Sequence, residues 1–264
     1  IKKQFLGIKY IALIQDSLFF GSDIEWKQKF HCQKIMFHKA TMDYYEEELK
    51  KQGLSVIYIK HIRGNRTEDY LNHLIKKGFN HFITYEAFDW SLEKRVKDFS
   101  IKNNVKLEVR TSQMFLTCEG ISEEIINQKN IYGMQKFYRN QRRNLDILIE
   151  KDGSPTGGAW SFDKLNRKKL PSSIKVPKIP ILKTNNFITK AKKEVSINYN
   201  DYYGNYKNFN YPISHKEAED WLDIFLIERF NLFGDYEDAI DANHRILWHS
   251  VLSPLINCGL LTPR

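Results

Sequence analysis

The segment HSVLSPLINCGLL, residues 249–261, combines an apolar helical pattern with groups that can bind an anion. Its first turn carries His249, Ser250, Ser253 and Pro254. Serine is a good N-cap and proline is well accepted in a first turn, so an ordinary helix start explains these residues. Free N–H groups and hydroxyls at a helix start also suit a phosphate group. Position alone leaves both interpretations open.

A basic block in the middle of the chain could bind a polyanion. Residues 151–200 hold eleven Lys and Arg against three Asp and Glu, whereas residues 201–264 hold five against ten. The net charge of +9 is therefore local rather than evenly spread. Such a block favours nucleic acid as a partner, although a solubilising linker explains it equally well. Its prominent cations, spaced by proline and serine, are Lys164, Arg167, Lys168, Lys169, Lys175 and Lys178.

The cysteines argue against both a disulfide framework and a metal centre. Cys32, Cys118 and Cys258 lie far apart without a CxxC pair, which favours a reducing compartment. His31 and His38 flank Cys32, but adjacent side chains diverge on a helix, so we predict no metal site. No run approaches the ~18 apolar residues of a membrane span, and no signal peptide is visible. We therefore expect a cytoplasmic protein.

The elements that must position these groups begin with an alternation of strands and helices. Short runs rich in Ile, Val and Tyr predict strands at residues 9–16, 54–61, 81–87 and 106–112. Between them, residues 33–51 have a helical pattern closed by Gly53, and a second helix has Thr67 as N-cap and Gly78 as C-cap. A third helix starts at Trp90 with Ser91 as its cap. Strict alternation predicts a parallel sheet covered on both faces.

Beyond residue 116 the strand signals stop. Residues 121–128 and 133–150 have helical patterns, and the second pattern places four apolar residues near one face, namely Met134, Phe137, Leu145 and Leu148. An irregular connection rich in Gly, Pro, Ser and Lys follows at residues 152–183. Helical pattern resumes at Ser214, which forms a capping box with Glu217, and a turn at residues 233–241 precedes the final helix.

These patterns predict three parts. Residues 1–116 form an α/β domain, residues 117–213 form a helical segment and basic interdomain linker, and residues 214–264 start an all-α domain.

Seven segments together resemble a known family. They are QDSLFFG (15–21), FHCQKIMFHKATM (30–42), MFLT (114–117), MQKFYRNQRR (134–143), GGAWSFDKLNR (157–167), FGDYEDAID (233–241) and HSVLSPLINCGLL. In this order they resemble the iron–sulfur branch of bacterial photolyases and cryptochromes. That branch is often labelled deoxyribodipyrimidine photolyase-related and includes the prokaryotic (6-4) photolyases. The similarity runs through essentially all 264 residues.

The resemblance implies FAD as cofactor. In photolyases a T/H-S-x-L-S segment cradles the flavin diphosphate at a helix start, and the positions matching it here are His249, Ser250, Val251, Leu252 and Ser253. Tyr236 matches an aromatic residue that touches the flavin, although packing on Phe233 explains it equally well. Many photolyases have Arg where this chain has Val251, so phosphate binding here must rely on hydroxyls and backbone, or on residues outside the chain.

The resemblance also implies that the Rossmann-like domain is an antenna module, which in this branch often holds 6,7-dimethyl-8-ribityllumazine. We expect such a ligand at the carboxyl ends of the strands, near a topological switch point. The candidate residues there are Gln15, Asp16, Phe19, Phe20, Tyr85 and Glu86. Simple packing of Phe19 and Phe20 on the sheet is the alternative.

Relative to the family, this chain is expected to be a fragment. The strand that opens the family's domain has no counterpart here, and it would be central in the sheet. Roughly the last half of the family's length is also absent, with most of the flavin pocket, the lesion-binding surface and the cysteines of the 4Fe–4S cluster. The catalytic residues would lie there, and none of the three cysteines here matches a cluster ligand.

The implied function is that of a bacterial, light-driven, FAD-dependent DNA photolyase. Reduced FAD, excited directly or through the antenna, would donate an electron to a UV-induced pyrimidine dimer, with (6-4) photoproducts as the expected lesion. We expect a monomer whose basic linker holds duplex DNA by its phosphates while the lesion is flipped out. The alternatives are a cryptochrome photoreceptor without repair and a non-photochemical nucleic-acid-binding α/β protein.

Overall fold

The computed structural model describes residues 7–117, 133–163, 166 and 168–263. Its first part alternates strands and helices in the order β1 (Tyr10–Ile14), α1 (Ser17–Phe20), α2 (Cys32–Lys51), β2 (Ser55–Ile59), α3 (Thr67–Lys76), β3 (His81–Tyr85), α4 (Trp90–Lys102) and β4 (Lys106–Arg110). All four predicted strands are present, and each begins and ends within two residues of its expected bounds. The α/β class is therefore confirmed.

The strands form two parallel pairs. β1 pairs with β2 from Tyr10↔Ser55 to Ile14↔Ile59, and β3 pairs with β4 from His81↔Lys106 to Tyr85↔Arg110. Within the described residues, no strand pairing joins one pair to the other. The sheet expected from the sequence is thus present as two two-stranded parts.

One apolar core nevertheless serves both strand pairs. Leu71 and Leu74 of α3 and Phe99 of α4 are buried together, and partly buried residues from both pairs, including Ile14 and Phe82, pack against them. Helix α2 packs on β2 and on a later helix, Asn186–Asn198. Because α3 and α4 share one layer across both pairs, the two parts belong to one α/β unit.

The remaining described elements are helices: α5 (Met134–Asn144), α6 (Asn186–Asn198), α7 (His215–Glu228), α8 (Phe230–Tyr236) and α9 (Ser253–Asn257). The chain divides into two compact units, one of Ile1–Ser112 with Ile181–Glu217 and one of Gln113–Pro180 with Ala218–Arg264. Residues 181–213, which the sequence assigned to a linker, thus pack with the α/β unit. No described helix is both long and apolar enough to span a bilayer.

Helix α6 was not predicted from the sequence. Its buried residues Ile188, Ala191 and Val195 lie on one face, and Asn185 caps its start by accepting from the backbone N–H of Ile188 at 3.0 Å. Lysines occupy the exposed face, so the segment resembled the basic block that precedes it. The apolar spacing of three and four residues was the signal that could have identified it.

Several predicted helix ends are corrected by the structure. Arg66 rather than Thr67 caps α3, Lys77 rather than Gly78 is its C-cap, and Asp89 rather than Ser91 caps α4. Asp89 is preferred because its carboxylate reaches the backbone N–H of Leu92 at 2.9 Å. The capping residue Ser214 is confirmed, since its hydroxyl accepts from the N–H of Glu217 at 3.1 Å.

The helix predicted over residues 133–150 ends earlier than expected. Helix α5 stops at Asn144, and Asp146 and Leu148 adopt left-handed backbone conformations. Met134 and Leu148, expected on an apolar face, are 74% and 60% exposed. The four residues predicted to form an apolar face therefore do not together pack helix α5 against the rest of the protein. The predicted helical pattern at residues 121–128 lies outside the described residues.

Candidate functional site

The segment expected to bind the flavin diphosphate is mostly a turn. Val251 has a φ of 55°, a left-handed conformation that is unusual for a β-branched residue, and its N–H donates to the imidazole Nδ1 of His249 at 3.0 Å. Helix α9 begins only at Ser253 and lasts five residues. The helix predicted over residues 249–261 is therefore present only at Ser253–Asn257. Residues 249–252 are irregular, with Val251 left-handed, and residues 258–261 lie beyond the end of the helix. His249 and Ser253 are exposed, and Ser250 is half-buried.

A buried arginine, which the sequence reasoning missed, supports this turn. Arg229 is 3% exposed, and burial lowers the pKa of its guanidinium. It donates to the carbonyl of Leu247 at 3.2 Å and to the carbonyls of Pro177 and Lys178 at 2.9 and 2.7 Å. One side chain thus ties the basic linker to the residues that precede His249. A lone arginine carries no sequence pattern, so no signal in the chain pointed to it.

Trp221 of α7 completes the support of the turn. Its indole N–H donates to the carbonyl of Ser250 at 3.2 Å. A cavity of about 10 Å³ lies between Trp221, Arg229, His249 and Val251. That volume accommodates about one water molecule. The hydroxyls and imidazole of the turn are of the type that binds phosphate, but the cavity beside them is far too small for an isoalloxazine ring.

Tyr236 lies in the core of the second unit. It is the last residue of α8, is 7% exposed, and its ring lies 5.3 Å from that of Trp248. Its packing partner is thus Trp248, the residue immediately before His249, rather than Phe233. The structure brings Tyr236 close to the phosphate-type turn through this indole.

The described part of the basic linker is packed on one side and exposed on the other. Leu170, Ile174 and Val176 pack against the cluster of Tyr236, Leu247 and Trp248. The four candidate cations among the described residues are all exposed, namely Lys168, Lys169, Lys175 and Lys178. Lys168 forms an ion pair with Asp235 at 2.8 Å. Lys164 and Arg167 lie outside the described residues.

Gln15 stands at the end of β1 in a buried polar network. Its side-chain oxygen accepts from the N–H of His61 at 3.2 Å and from the ammonium of Lys39 at 3.4 Å. Its amide nitrogen donates to the hydroxyl of Tyr58 at 2.6 Å, which in turn donates to Asp43 at 2.8 Å. Gln15 is 1% exposed. Its polar groups therefore already serve the interior of the α/β unit.

The other antenna candidates divide into buried and exposed residues. Asp16 caps α1 by accepting from the N–H of Leu18 at 3.0 Å, and burial raises the pKa of its carboxyl. Phe20 is 1% exposed and its ring stacks on that of His61 at 5.1 Å. Phe19 is half-buried, and Tyr85 is 41% exposed.

Glu86, the last of these candidates, joins the ends of β3 and β4. Its carboxylate accepts from the N–H of Ser112 at 2.7 Å. Among the six candidates, Tyr85 is therefore the residue with an exposed ring at the carboxyl end of a strand.

Metal binding finds no support in the residues that the structure describes. No group of three or more His, Cys, Asp and Glu there could hold an ion. Cys32 is buried in α2, whose N-cap is His31, and Cys258 is half-buried. Cys118 lies outside the described residues.

The described residues form an α/β unit and a second unit whose named elements are helices. The family model described as deoxyribodipyrimidine photo-lyase-related protein matches residues 11–211. Since this match covers most of the chain, the chain belongs to the deoxyribodipyrimidine photolyase-related family.

Curated relatives agree with this assignment. The chain is 26% identical over 236 residues to a (6-4) photolyase of Agrobacterium fabrum (strain C58 / ATCC 33970), which covers 88% of this chain and 46% of that protein. It is 28% identical over 174 residues to the uncharacterized protein R852 of Acanthamoeba polyphaga mimivirus, covering 64% of this chain and 86% of that protein. A second uncharacterized mimivirus protein, R853, is 62% identical over 29 residues, which is 11% of this chain and 22% of that protein. The chain thus spans about half the length of the (6-4) photolyase.

Proposed function

We propose that this chain is part of a light-driven, FAD-dependent DNA photolyase that acts on UV-induced pyrimidine dimers, (6-4) photoproducts in particular. The observation that carries the proposal is similarity to a (6-4) photolyase along 88% of the chain. The family match over residues 11–211 supports the same class. FAD, when bound, would supply light absorption and electron transfer to the dimer, and the protein would supply binding and orientation.

The turn before α9 would contribute phosphate contacts to FAD. Ser253 and His249 are exposed, and Ser250 lies beside them, so two hydroxyls and an imidazole are available for hydrogen bonds to a diphosphate. The cavity next to the turn has room for about one water molecule, so on this proposal these residues would hold one edge of the cofactor only. The remaining walls of the pocket would come from residues outside this chain.

Flavin retention by serine variants tests this assignment. The full-length S250A/S253A protein should lose flavin during gel filtration, because the two hydroxyls that would donate to phosphate oxygens are removed. The matched control is S173A, which removes an exposed hydroxyl from the linker. Equal flavin content in all three proteins would contradict the proposed phosphate site.

The two strand pairs support the proposal that a further strand lies between β1 and β3 in the complete domain. Helix α2 packs on β2, whereas α3 and α4 share a core with residues of both pairs. With right-handed crossovers, this arrangement gives the order β2-β1 on one side and β3-β4 on the other. One parallel strand inserted between them would complete a five-stranded sheet with its switch point at that strand.

An antenna chromophore of the ribityllumazine type would then bind at the carboxyl ends of β1 and β3. Tyr85, at the end of β3, offers an exposed ring for stacking. Gln15, Asp16 and Phe20 would shape the site from below rather than contact the ligand, because they are buried. Y85A should reduce chromophore content, measured by visible absorption, while a control at the exposed Tyr203 should leave it unchanged.

The linker lysines would contact the DNA backbone. Lys169, Lys175 and Lys178 are exposed, and their apolar neighbours anchor the segment to the second unit. K169Q/K175Q/K178Q should flatten the dependence of binding on salt by about 2.7 in the slope of log K against log salt, since each duplex phosphate contact contributes about 0.9. A slope equal to that of the unaltered protein would contradict the proposal.

The experiment that tests the whole proposal is an absorption spectrum of the full-length protein followed by a repair assay. A flavin band that bleaches under blue light with a reductant, together with repair of a (6-4) photoproduct in duplex DNA, is the expected result. Bleaching without repair would indicate a photoreceptor instead. A protein that is colourless in the visible and binds DNA would indicate the non-photochemical alternative.

A further inference from the structure

Three arginines of helix α5 lie close to the ring of Trp160, which follows the helix in the chain. The guanidinium carbons of Arg139, Arg142 and Arg143 lie 5.8, 5.2 and 4.7 Å from the ring centroid of Trp160. The chain reaches this position through a tight turn after α5, where Ile149 forms an antiparallel bridge with Pro155. The hairpin thus returns Trp160 to the helix it follows.

The three arginines are held differently. Arg142 is 6% exposed and donates to the carbonyls of Ile147 and Leu148, so it fixes the turn that follows the helix. Arg139 and Arg143 are exposed. In the ranges that the structure describes, neither forms an ion pair with a carboxylate. Two cations are therefore presented to solvent, with an aromatic ring behind them.

Helix capping does not account for this arrangement. Arg142 and Arg143 in the last turn would favour the helix dipole, but Arg139 lies a full turn earlier and converges on the same ring. Helix α5 carries four basic residues and no acidic one. Three like charges beside one ring repel one another, and the attraction between each cation and the ring offsets part of that repulsion. An anionic partner would offset the rest.

We propose that Arg139, Arg143 and Trp160 form a nucleic-acid backbone contact, which we name the α5 arginine surface. Guanidinium groups match phosphate oxygens with two hydrogen bonds each, and residues four apart on a helix lie side by side. The pair can therefore take neighbouring phosphates of one strand. Tyr138, whose ring centroid lies 5.5 Å from the guanidinium carbon of Arg142, is 46% exposed, and an exposed ring beside cations suits a strand that presents both phosphates and bases.

This inference rests on the proposed function for the identity of the partner, because DNA is the polyanion that a photolyase binds. It differs from the linker contact in its residues and in their chemistry. Lysines act as point charges, whereas arginines stacked on an indole fix the direction of the phosphates they bind. The α5 arginine surface would thus orient a strand that the linker lysines only attract.

The test measures binding of the 264-residue chain to labelled duplex and single-stranded oligonucleotides by fluorescence anisotropy over a range of salt. R139Q/R143Q should weaken binding and reduce the slope of log K against log salt by about 1.8 for duplex or about 1.4 for single strands. The form of DNA for which R139Q/R143Q lowers the affinity by the larger factor is the form that this surface prefers. The matched control is K76Q/K77Q, which removes two exposed cations at the end of α3 and should leave the slope unchanged.

A conservative variant separates charge from orientation. R139K/R143K should keep the salt slope and still lose affinity, because lysine retains the charge without the planar fork. A change in tryptophan emission on adding DNA should disappear in W160F, which reports contact at this ring directly. If R139Q/R143Q keeps the slope of a chain that does bind DNA, the inference is wrong and the proposed function stands. If the unaltered chain binds neither oligonucleotide, the inference is wrong, and the absorption spectrum and repair assay of the full-length protein decide the proposed function separately.

Discussion

His38 makes the stability of the α/β unit sensitive to acid. Its ring lies among aromatic neighbours, 6.0 Å from Phe20 and 6.1 Å from Phe37, and its Nε2 is buried without a hydrogen-bond partner among the described residues. Burial, reinforced by the nearby charge of Lys34, lowers the pKa of His38 to about 4. The folded protein therefore keeps this imidazole neutral at a pH where the unfolded chain, with a pKa near 6.5, binds a proton.

The sign and size of the effect follow from this difference. Above about pH 6.5 the group is neutral in both states and contributes no pH dependence. Between about pH 6.5 and 4 the unfolded state binds the proton, so the free energy of unfolding falls by up to about 1.4 kcal/mol per pH unit. At about pH 5 the loss is about 2 kcal/mol, a sizeable part of the 5–15 kcal/mol typical of a folded domain.

His38→Leu tests this reasoning without removing a hydrogen bond of Nε2, which has no partner among the described residues. At neutral pH the variant should equal or exceed the original, since a buried unsatisfied nitrogen costs about 1–3 kcal/mol. At about pH 5 its advantage should grow by about 2 kcal/mol. Urea unfolding at several pH values measures both, with His73→Leu on the exposed face of α3 as control. Parallel stability curves for His38→Leu and the unaltered chain would refute the argument.

Three further changes test other parts of the structure by urea unfolding. Burial lowers the pKa of His61 to about 4, and its ring is hydrogen-bonded to the hydroxyl of Tyr199. His61→Leu should therefore remove a similar acid sensitivity but lower the free energy of unfolding at neutral pH by about 1–3 kcal/mol. A higher free energy of unfolding at neutral pH would contradict this. Val251→Gly should raise the free energy of unfolding by about 1 kcal/mol, because glycine adopts a left-handed backbone conformation without strain. A lower free energy of unfolding would show that the contacts of the valine side chain matter more. Arg95→Met should lower the free energy of unfolding by about 3–5 kcal/mol, because Asp23, which is 1% exposed, loses its bidentate partner. Adding Asp23→Asn to this variant should restore part of the lost free energy, and no recovery would contradict the argument.

Local pattern predicted the α/β unit because each of its strands lies in a short run that contains Ile, Val or Tyr. The runs at 9–16 and 54–61 correspond to β1 and β2, and the helix between them matches α2. Sequence could not show that the strands pair only two by two, because pairing depends on neighbours distant in the chain. Helix α6 was missed because its lysines joined it to the basic block, although Ile188, Ala191 and Val195 have helical spacing.

The candidate site was predictable in its residues but not in its geometry. The hydroxyls of Ser250 and Ser253 were identified from the sequence, but only Ser253 lies at a helix start, whereas Ser250 precedes the left-handed residue Val251. Proline and serine fit both structures, so propensity could not separate them. Arg229 was invisible for another reason, since its role depends on carbonyls about 50 residues upstream and 18 downstream.

Arg229 also decides how the turn can compensate the charge of a phosphate. The resemblance to photolyases implies that Val251 replaces an arginine, and Arg229 is a buried cation in the lining of the same cavity as Val251. Its guanidinium, however, is occupied by the carbonyls of Pro177, Lys178 and Leu247. Arg229 therefore cannot bind a phosphate in place of an arginine at position 251 unless it gives up its hydrogen bonds to the linker. What it does instead is hold the backbone of Lys178 beside the residues leading to His249. A diphosphate at this turn would then be held by the hydroxyls, by backbone N–H groups and by residues outside this chain, and not by the charge of Arg229.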